Sequence, residues 1–275
     1  MKNYSIEVET AEDGSRAVVI GGGYIAQKLA FILNNRGLAS LVISKSKDLD
    51  MSSTPEFIFL FNPGDDVLPE MAVNFIKSIK PKLIIVSIDK PCGENIIKQC
   101  LDKEIDYCSA EIYDLFGGGP DDSGLGIIFS EIKKKKLISF RNDQIIITPV
   151  FIDDAAEALC RVAFSTQTFK QKFLLTGKEE IPLVGFSQRV GLEASRISGL
   201  LLNPVESGAL YPETIVRHEK ILRRDESYSL LSWKPDVKLD QAIKLALGNL
   251  PVYVSGAQQE VKKKTILNQP YFLQS

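Results

Sequence analysis

The sequence is poor in the side chains that bind transition metals. It holds one histidine, His218, and four cysteines, Cys92, Cys100, Cys108 and Cys160, with no Cys-x-x-Cys or Cys/His pairing among them. So few soft ligands make a zinc or iron centre an unexpected feature, and the cysteines read as ordinary thiols of a reducing compartment. Charge of one sign is lacking as well. Lys and Arg number 33 against 35 Asp and Glu, a net charge of -2, which supplies no basic field for nucleic acid. Long apolar runs are also missing. "LIIVSI" and "FIFLF" are strand-sized, far below the roughly 20 residues that cross a bilayer, and "MKNYSIEVETAEDGS" is too polar for the core of a secretory leader. The expectation is a cytoplasmic protein with neither nucleic acid nor membrane as a partner.

What is present is a globular balance, 44% apolar and 25% charged residues, arranged in an alternating order. Strand-like "AVVI" is followed by glycines and a helix through Asn34, then by "ASLVIS" after the "NNRG" stop. "EFIFLF", a helix across "LPEMAVNFIKSI" and "KLIIVSI" make a second strand-helix-strand unit. A helix over "GENIIKQCLDKE", strand "DYCSAEIYDLF", a helix ending in "EIKKKK", strand "QIIITPVF", a helix from "DDAAEALCRVAF" and strand "KFLLTG" continue the series. Continuous apolar strands separated by helices predict a parallel sheet buried on both faces. The fold class is α/β, a Rossmann-type doubly wound parallel sheet. Residues 14–177 are assigned to it. Residues 178–250, where Pro, Gly and Ser thin the pattern, are assigned to a small substrate-side subdomain interleaved with 117–140. Residues 251–275 form an arm or tail.

Gly21, Gly23 and Ala26 give a GxGxxA spacing at a strand-to-helix turn that also includes Tyr24 and Ile25. Glycine at 21 permits the tight turn, glycine at 23 lets backbone approach a pyrophosphate, and a small residue at 26 lets helix and strand pack. A helix N-terminus there favours an anion; a tight turn without any ligand fits the same residues. The end of the second strand reads "ISKSK". Ser44, Lys45 and Lys47 suit a 2′-phosphate better than an acidic ribose clamp would, which tilts the expected NAD(P) toward NADP, although a solvated charge cluster fits equally. Asp153 and Asp154 read as first-turn acids of a helix, and the lysines at 133–136 as a helix terminus.

Several stretches together resemble the extended short-chain dehydrogenases/reductases, in particular the NAD-dependent epimerases and dehydratases acting on nucleotide sugars. "VVIGGGYIAQKLA" is similar to that family's opening. "AEIYDLFGGGPDD" resembles its R-x-x-N-V-Y-G-P-G, "PVFIDDAAEAL" its FVYVDDVAEAL, and "RRDESYSLLSWKPDVKLDQAI" its C-terminal stretch, in the right order over roughly residues 16 to 247. The resemblance implies Phe61, Asn62 and Pro63 as cofactor neighbours and Ser87 as both a cofactor contact and the assisting catalytic hydroxyl. It also implies Phe116 and Gly117 on the substrate cleft, and Arg223 or Arg224 near a substrate diphosphate, which arginine clamps better than lysine.

The departures from the family pattern concern catalysis. Its YxxxK pair, in which Lys lowers the phenol's pKa for proton exchange, has no counterpart after Ser87. The chain's only YxxxK, Tyr24 to Lys28, lies in the glycine turn. Lys90 could point into the cleft, but an exposed lysine at a strand-helix junction is the preferred reading. Glu111 and Asp114 stand where the family has Arg and Asn. Two ligand-binding functions remain open beside a third reading, a scaffold that binds no ligand. One is an NAD(P)-binding epimerase, dehydratase or reductase with weakened or altered chemistry on a nucleotide-sugar or related small molecule. The other is a non-catalytic NAD(P)H or nucleotide-sugar sensor or partner subunit. A homodimer or a partner enzyme suits either one.

Overall fold

The computed structural model describes residues 16–43, 54–62, 68, 70–117, 124–140, 145–165, 170–199, 202–207 and 217–248. The chain order begins with β1 (Ala17–Ile20), α1 (Gly23–Asn35), β2 (Ser40–Ile43), β3 (Phe57–Phe61), α2 (Glu70–Ile79), β4 (Lys82–Ile88), α3 (Glu94–Asp102) and β5 (Tyr107–Ile112). It continues with β6 (Leu115–Phe116), α4 (Gly126–Lys133), β7 (Lys136–Phe140), β8 (Ile146–Ile147), β9 (Val150–Phe151), α5 (Ile152–Phe164) and β10 (Lys172–Leu175). Last come β11 (Ile181–Pro182), α6 (Leu183–Ser198), β12 (Asn203–Ser207), α7 (Arg217–Leu230) and α8 (Leu239–Gly248).

Six strands form one sheet in the order β10-β5-β4-β3-β1-β2, every neighbour parallel. This is the doubly wound α/β fold. The period of two in β4 divides the core: Ile84 and Val86 join the layer that holds α1 and α5, whereas Leu83 and Ile85 join the layer of α2 and α3. Both layers are apolar because each face of a parallel strand must be covered by a helix. Each fully buried Ile, Leu or Phe adds about 1.5–3 kcal/mol.

The chain leaves β1 for β2 on one side and returns to β3 on the other, so the strand order reverses between β1 and β3. In open α/β sheets the crevice at such a reversal, beyond the strands' carboxyl ends, is where ligands bind. The outer edge of β10 is covered by α7: Leu174 N–H donates to Ser227 Oγ at 2.8 Å and Tyr228 OH donates to Thr176 O at 2.9 Å. An edge covered in this way is closed to further strand pairing.

Three expectations need correction. "QIIITPVF" adds no strand to the main sheet. It divides into β8, antiparallel to β11, and β9, parallel to β6. "DYCSAEIYDLF" is broken at Asp114, whose φ of 58° is incompatible with a continuing strand. The lysine run ends α4 but also starts β7, which pairs with β12 from Lys136↔Asn203 to Phe140↔Ser207. α5 begins at Ile152, with Asp153 and Asp154 in its first turn as expected.

Candidate functional site

The glycine turn lies at the β1 side of the crevice. Gly21, Gly22 and Gly23 have φ values of 76°, 82° and 53°, a left-handed succession open to glycine at little cost. Ala26 is fully buried between α1 and the sheet, as its small size predicts. Ile25 is buried beside it and Tyr24 packs on the same layer. The N-terminus of α1 has no side-chain cap and no acidic residue in its first turn. Its leading N–H groups and dipole end therefore meet the requirements of a phosphate. Gly21 and Gly22 also have a packing reason. A Cβ at Gly22 would lie 2.5 Å from Phe61 Cγ, and one at Gly21 would lie 3.3 Å from Phe61 O. Gly23 is exposed at the helix start.

The register Ile20↔Leu60 brings the end of β3 beside this turn. Phe61 is buried, and Asn62 is exposed at the crevice. Asn62, Asp89 and Asp114, which follow β3, β4 and β5, all have left-handed backbone, with φ of 45°, 54° and 58°. Each one's side chain latches a neighbouring segment. Asn62 Oδ1 accepts from Ile88 N–H at 2.9 Å, and Asp89 Oδ1 accepts from Asp114 N–H at 2.8 Å. Asp89 Oδ2 accepts from Gly124 N–H at 2.7 Å, and Asp114 Oδ2 accepts from Thr148 N–H at 2.8 Å. Side-chain oxygens thus extend the sheet's hydrogen bonding past the strand ends and fix the floor of the cleft.

Ser87 lies on the α2/α3 side of β4, 1% exposed and without a hydrogen-bond partner of good geometry. It is close enough to Cys92 to favour that thiolate slightly, but burial dominates and pushes the Cys92 thiol up to about 11. Beside them Glu111, 4% exposed, accepts from Cys92 N–H at 3.0 Å and Tyr113 OH at 3.4 Å, and pairs with Lys172 at 2.5 Å. Burial and the Glu111 charge push the Tyr113 phenol well above its ordinary range. A buried phenol held protonated is unsuited to act as a base at neutral pH. α3 contains Lys98 and no tyrosine; Lys90 is exposed in the turn before it. Tyr24 and Lys28 sit on α1, where Lys28 is paired with Asp153 of α5 at 2.9 Å.

Phe116 is a core residue, stacked on Phe129 at 5.9 Å and edge-on to Phe186 at 5.4 Å. Gly117, with φ of 99°, lets the Phe151 ring pass where a Cβ would lie 2.4 Å from it. Over Phe116, Pro149 and Phe151 opens a cavity of about 680 Å³, closed on its far side by residues 235–240 and rimmed by Lys178 and Glu179. Asp154 holds that far side: its carboxylate accepts from the N–H groups of Asp236 at 3.0 Å and Val237 at 3.3 Å. A second cavity, of about 550 Å³, shares Lys178 and is lined by Arg224, Tyr228, Ser229 and Lys234.

Ser44, Lys45, Lys47, Pro63, the Arg223 side chain and the 251–275 arm lie outside the described residues. Of the rest, the fold brings Gly21, Gly23, Tyr24, Phe61 and Asn62 together at the β1/β3 crevice. Phe116, Gly117 and Arg224 stand toward the β10 side, and Ser87 is enclosed below. Sequence reasoning missed the Asp89 latch and the Glu111–Lys172 pair. The signal for the pair was polar residues at alternate positions, Ser109 and Glu111, in an otherwise apolar strand. Among the described residues no metal-binding cluster occurs, and no helix is long and apolar enough to cross a membrane.

No family model matches the sequence, and no curated protein matches it. Solved structures do. The UDP-glucuronic acid 4-epimerase of Bacillus cereus in complex with NAD superposes with a TM-score of 0.62 at 13% identity, over 84% of this chain and 96% of that one. The UDP-glucose 4-epimerase of Thermotoga maritima with UDP-glucose gives 0.61 at 12% identity, over 84% and 97%. RMD of Pseudomonas aeruginosa with NADPH gives 0.58 at 12%, over 85% and 98%. At such identity the likeness is one of fold.

Proposed function

We propose that the chain is an NAD(P)-binding epimerase-, dehydratase- or reductase-like protein acting on a nucleotide sugar or related small molecule, with weakened or altered catalysis. The observation that carries this reading is the uncapped N-terminus of α1 behind three left-handed glycines at the strand-order reversal. Gly23 and the first N–H groups of α1 would hold the pyrophosphate, with Asn62 beside it. Ser44, Lys45 and Lys47 would meet the adenosine ribose, and a 2′-phosphate there favours NADP. The nicotinamide, when bound, supplies a hydride acceptor or donor.

The chain's own part is to orient ligands and move a proton, and the second task is where it is weak. Ser87 is buried, Lys28 is engaged with Asp153, and Tyr113 is held protonated inside the core. Loss of a positioned general acid costs typically 10²- to 10⁴-fold in rate. The substrate would occupy the cavity over Phe116 and Phe151, with Gly117 seating the Phe151 ring that lines it. The solved structures of like fold hold UDP-glucose or a nicotinamide cofactor, which supports both choices of ligand.

Calorimetric titration with NAD⁺, NADH, NADP⁺ and NADPH tests the reading, with Gly23→Asp as the control. Micromolar binding of at least one, abolished by the substitution, is the expected result. A folded wild-type protein that binds none of the four would refute it.

A further inference from the structure

Two carboxylates stand where the sheet opens beyond β4 and β5. Asp89 follows β4 and Asp114 follows β5, and the two strands are neighbours. Asp89 accepts from the N–H groups of Asp114 at 2.8 Å and Gly124 at 2.7 Å. Asp114 accepts from Thr148 N–H at 2.8 Å. These donors are neutral backbone groups, so they fix the carboxylates in place without cancelling their charge. Asp114 is 2% exposed and Asp89 is partly buried. A charge so enclosed acts through an effective dielectric of about 20 rather than the roughly 80 of bulk water, and its field extends into the crevice.

The sheet order decides which half of a dinucleotide meets this field. β3, β4 and β5 lie on one side of β1, and β2 lies on the other. A dinucleotide binds across the crevice at such a reversal. With its pyrophosphate on α1 and its adenosine toward the end of β2, the nicotinamide half is directed over the ends of β3 and β4. The oxidised nicotinamide ring is a cation and the reduced ring is neutral, while the rest of the molecule is the same in both. The glycine turn therefore holds the two forms alike, and charges on the β4 side tell them apart.

We propose that Asp89, with Asp114 beside it, makes the crevice prefer the oxidised, cationic nicotinamide to the reduced one. The inference rests on the cofactor reading given above and names the redox form that the site retains. Lys90, exposed in the turn after Asp89, acts against the preference from solvent, where its charge is better screened. Lys172 is engaged with Glu111 on the α2/α3 side of the sheet.

The test is titration of wild type, Asp89→Asn and Asp89→Glu with NAD⁺, NADH, NADP⁺ and NADPH, with folding checked by the urea midpoint. The readout is the affinity ratio of oxidised to reduced form within each couple. Wild type should favour the oxidised form by about tenfold, and the ratio should narrow as salt rises. Asp89→Asn keeps the size, removes the charge and should bring the ratio close to unity. It also leaves one N–H without its acceptor, but a loosened segment weakens both forms together and leaves their ratio alone. Asp89→Glu restores the charge and should recover the preference. Equal affinities in wild type, or a ratio unmoved by both Asp89→Asn and salt, overturn the inference and leave the cofactor reading standing. A folded wild type that binds none of the four overturns that reading and the inference with it.

Discussion

The Phe61 ring occupies the place that a side chain on Gly22 would need: a Cβ there would fall 2.5 Å from Phe61 Cγ and 2.8 Å from both Cδ atoms. A glycine of the β1–α1 turn is thus explained first by an aromatic ring of the neighbouring strand.

This relation separates two costs in Gly22→Ala. The φ of 82° is strained for alanine, worth about 1 kcal/mol, and the overlap with Phe61 adds about 1–3 kcal/mol of overpacking. Gly37 provides the comparison, since its φ is 77° and nothing lies within 4 Å of a Cβ there. Urea unfolding should find Gly37→Ala costing the strain alone and Gly22→Ala costing clearly more. In a double-mutant cycle Phe61→Ala should remove the excess, giving strong non-additivity. Equal costs at positions 22 and 37 would contradict the packing account.

The glycine turn and the alternation of β1 to β5 with helices were legible in the sequence because both rest on local signals: an apolar run, glycines, then helical spacing. β7 was not, since Leu137, Ile138 and Phe140 are hidden by the lysines before them and by a partner strand containing Pro204, more than sixty positions away. "QIIITPVF" misled for a similar reason. Its apolar content is that of a central strand, but Val150 N–H is taken by Asp114 O at 3.0 Å, and Asp114 has already left the sheet. At the candidate site the substitutions Glu111 and Asp114 were visible as departures from a pattern. Their partners, Lys172 and Thr148, are distant in sequence and became visible only in space.

The Glu111–Lys172 pair should respond asymmetrically to substitution. The Glu111 side chain is 5% exposed and that of Lys172 39%. Lys172→Met therefore leaves a buried carboxylate, whereas Glu111→Leu leaves an ammonium that can turn to water. The first should cost about 3–5 kcal/mol and the second about 1–3 kcal/mol. Denaturant midpoints at pH 7 decide it.

Asp154 gives the fold a pH dependence of definite sign. Burial is the main cause that raises its carboxyl above the ordinary 3.8, with Asp236 and Asp153 adding to the rise and two backbone N–H groups opposing it. The folded state then holds the proton more tightly than the unfolded chain does, so this group's contribution falls as pH rises from about the unfolded value through the raised folded one. Relative to Asp154→Asn, wild-type stability should decline across that window and run parallel above it. A wild-type advantage that grows with pH would reverse the assignment.

Lys82 ties the start of β4 to the end of α5. Its Nζ donates to Val162 O at 2.7 Å, Ala163 O at 3.0 Å and Ser165 O at 2.6 Å, the carbonyls that a helix C-terminus leaves without intrahelical partners. An ammonium there also faces the negative end of the helix dipole. Burial nonetheless lowers its pKa, because removal from water disfavours the charged form. Lys82→Met keeps the stem and removes the donors, and should cost about 2–3 kcal/mol. Because α5 packs on α1 behind the glycine turn, the loss should appear first as local fraying. Native-state hydrogen exchange at Val162, Ala163 and Ser165 should accelerate more than at Ala155 and Ala156, in the helix's first turns. Uniform acceleration along α5 would show that Lys82 stabilises the helix only through the global fold, and unchanged exchange would show that the three carbonyls are satisfied without it.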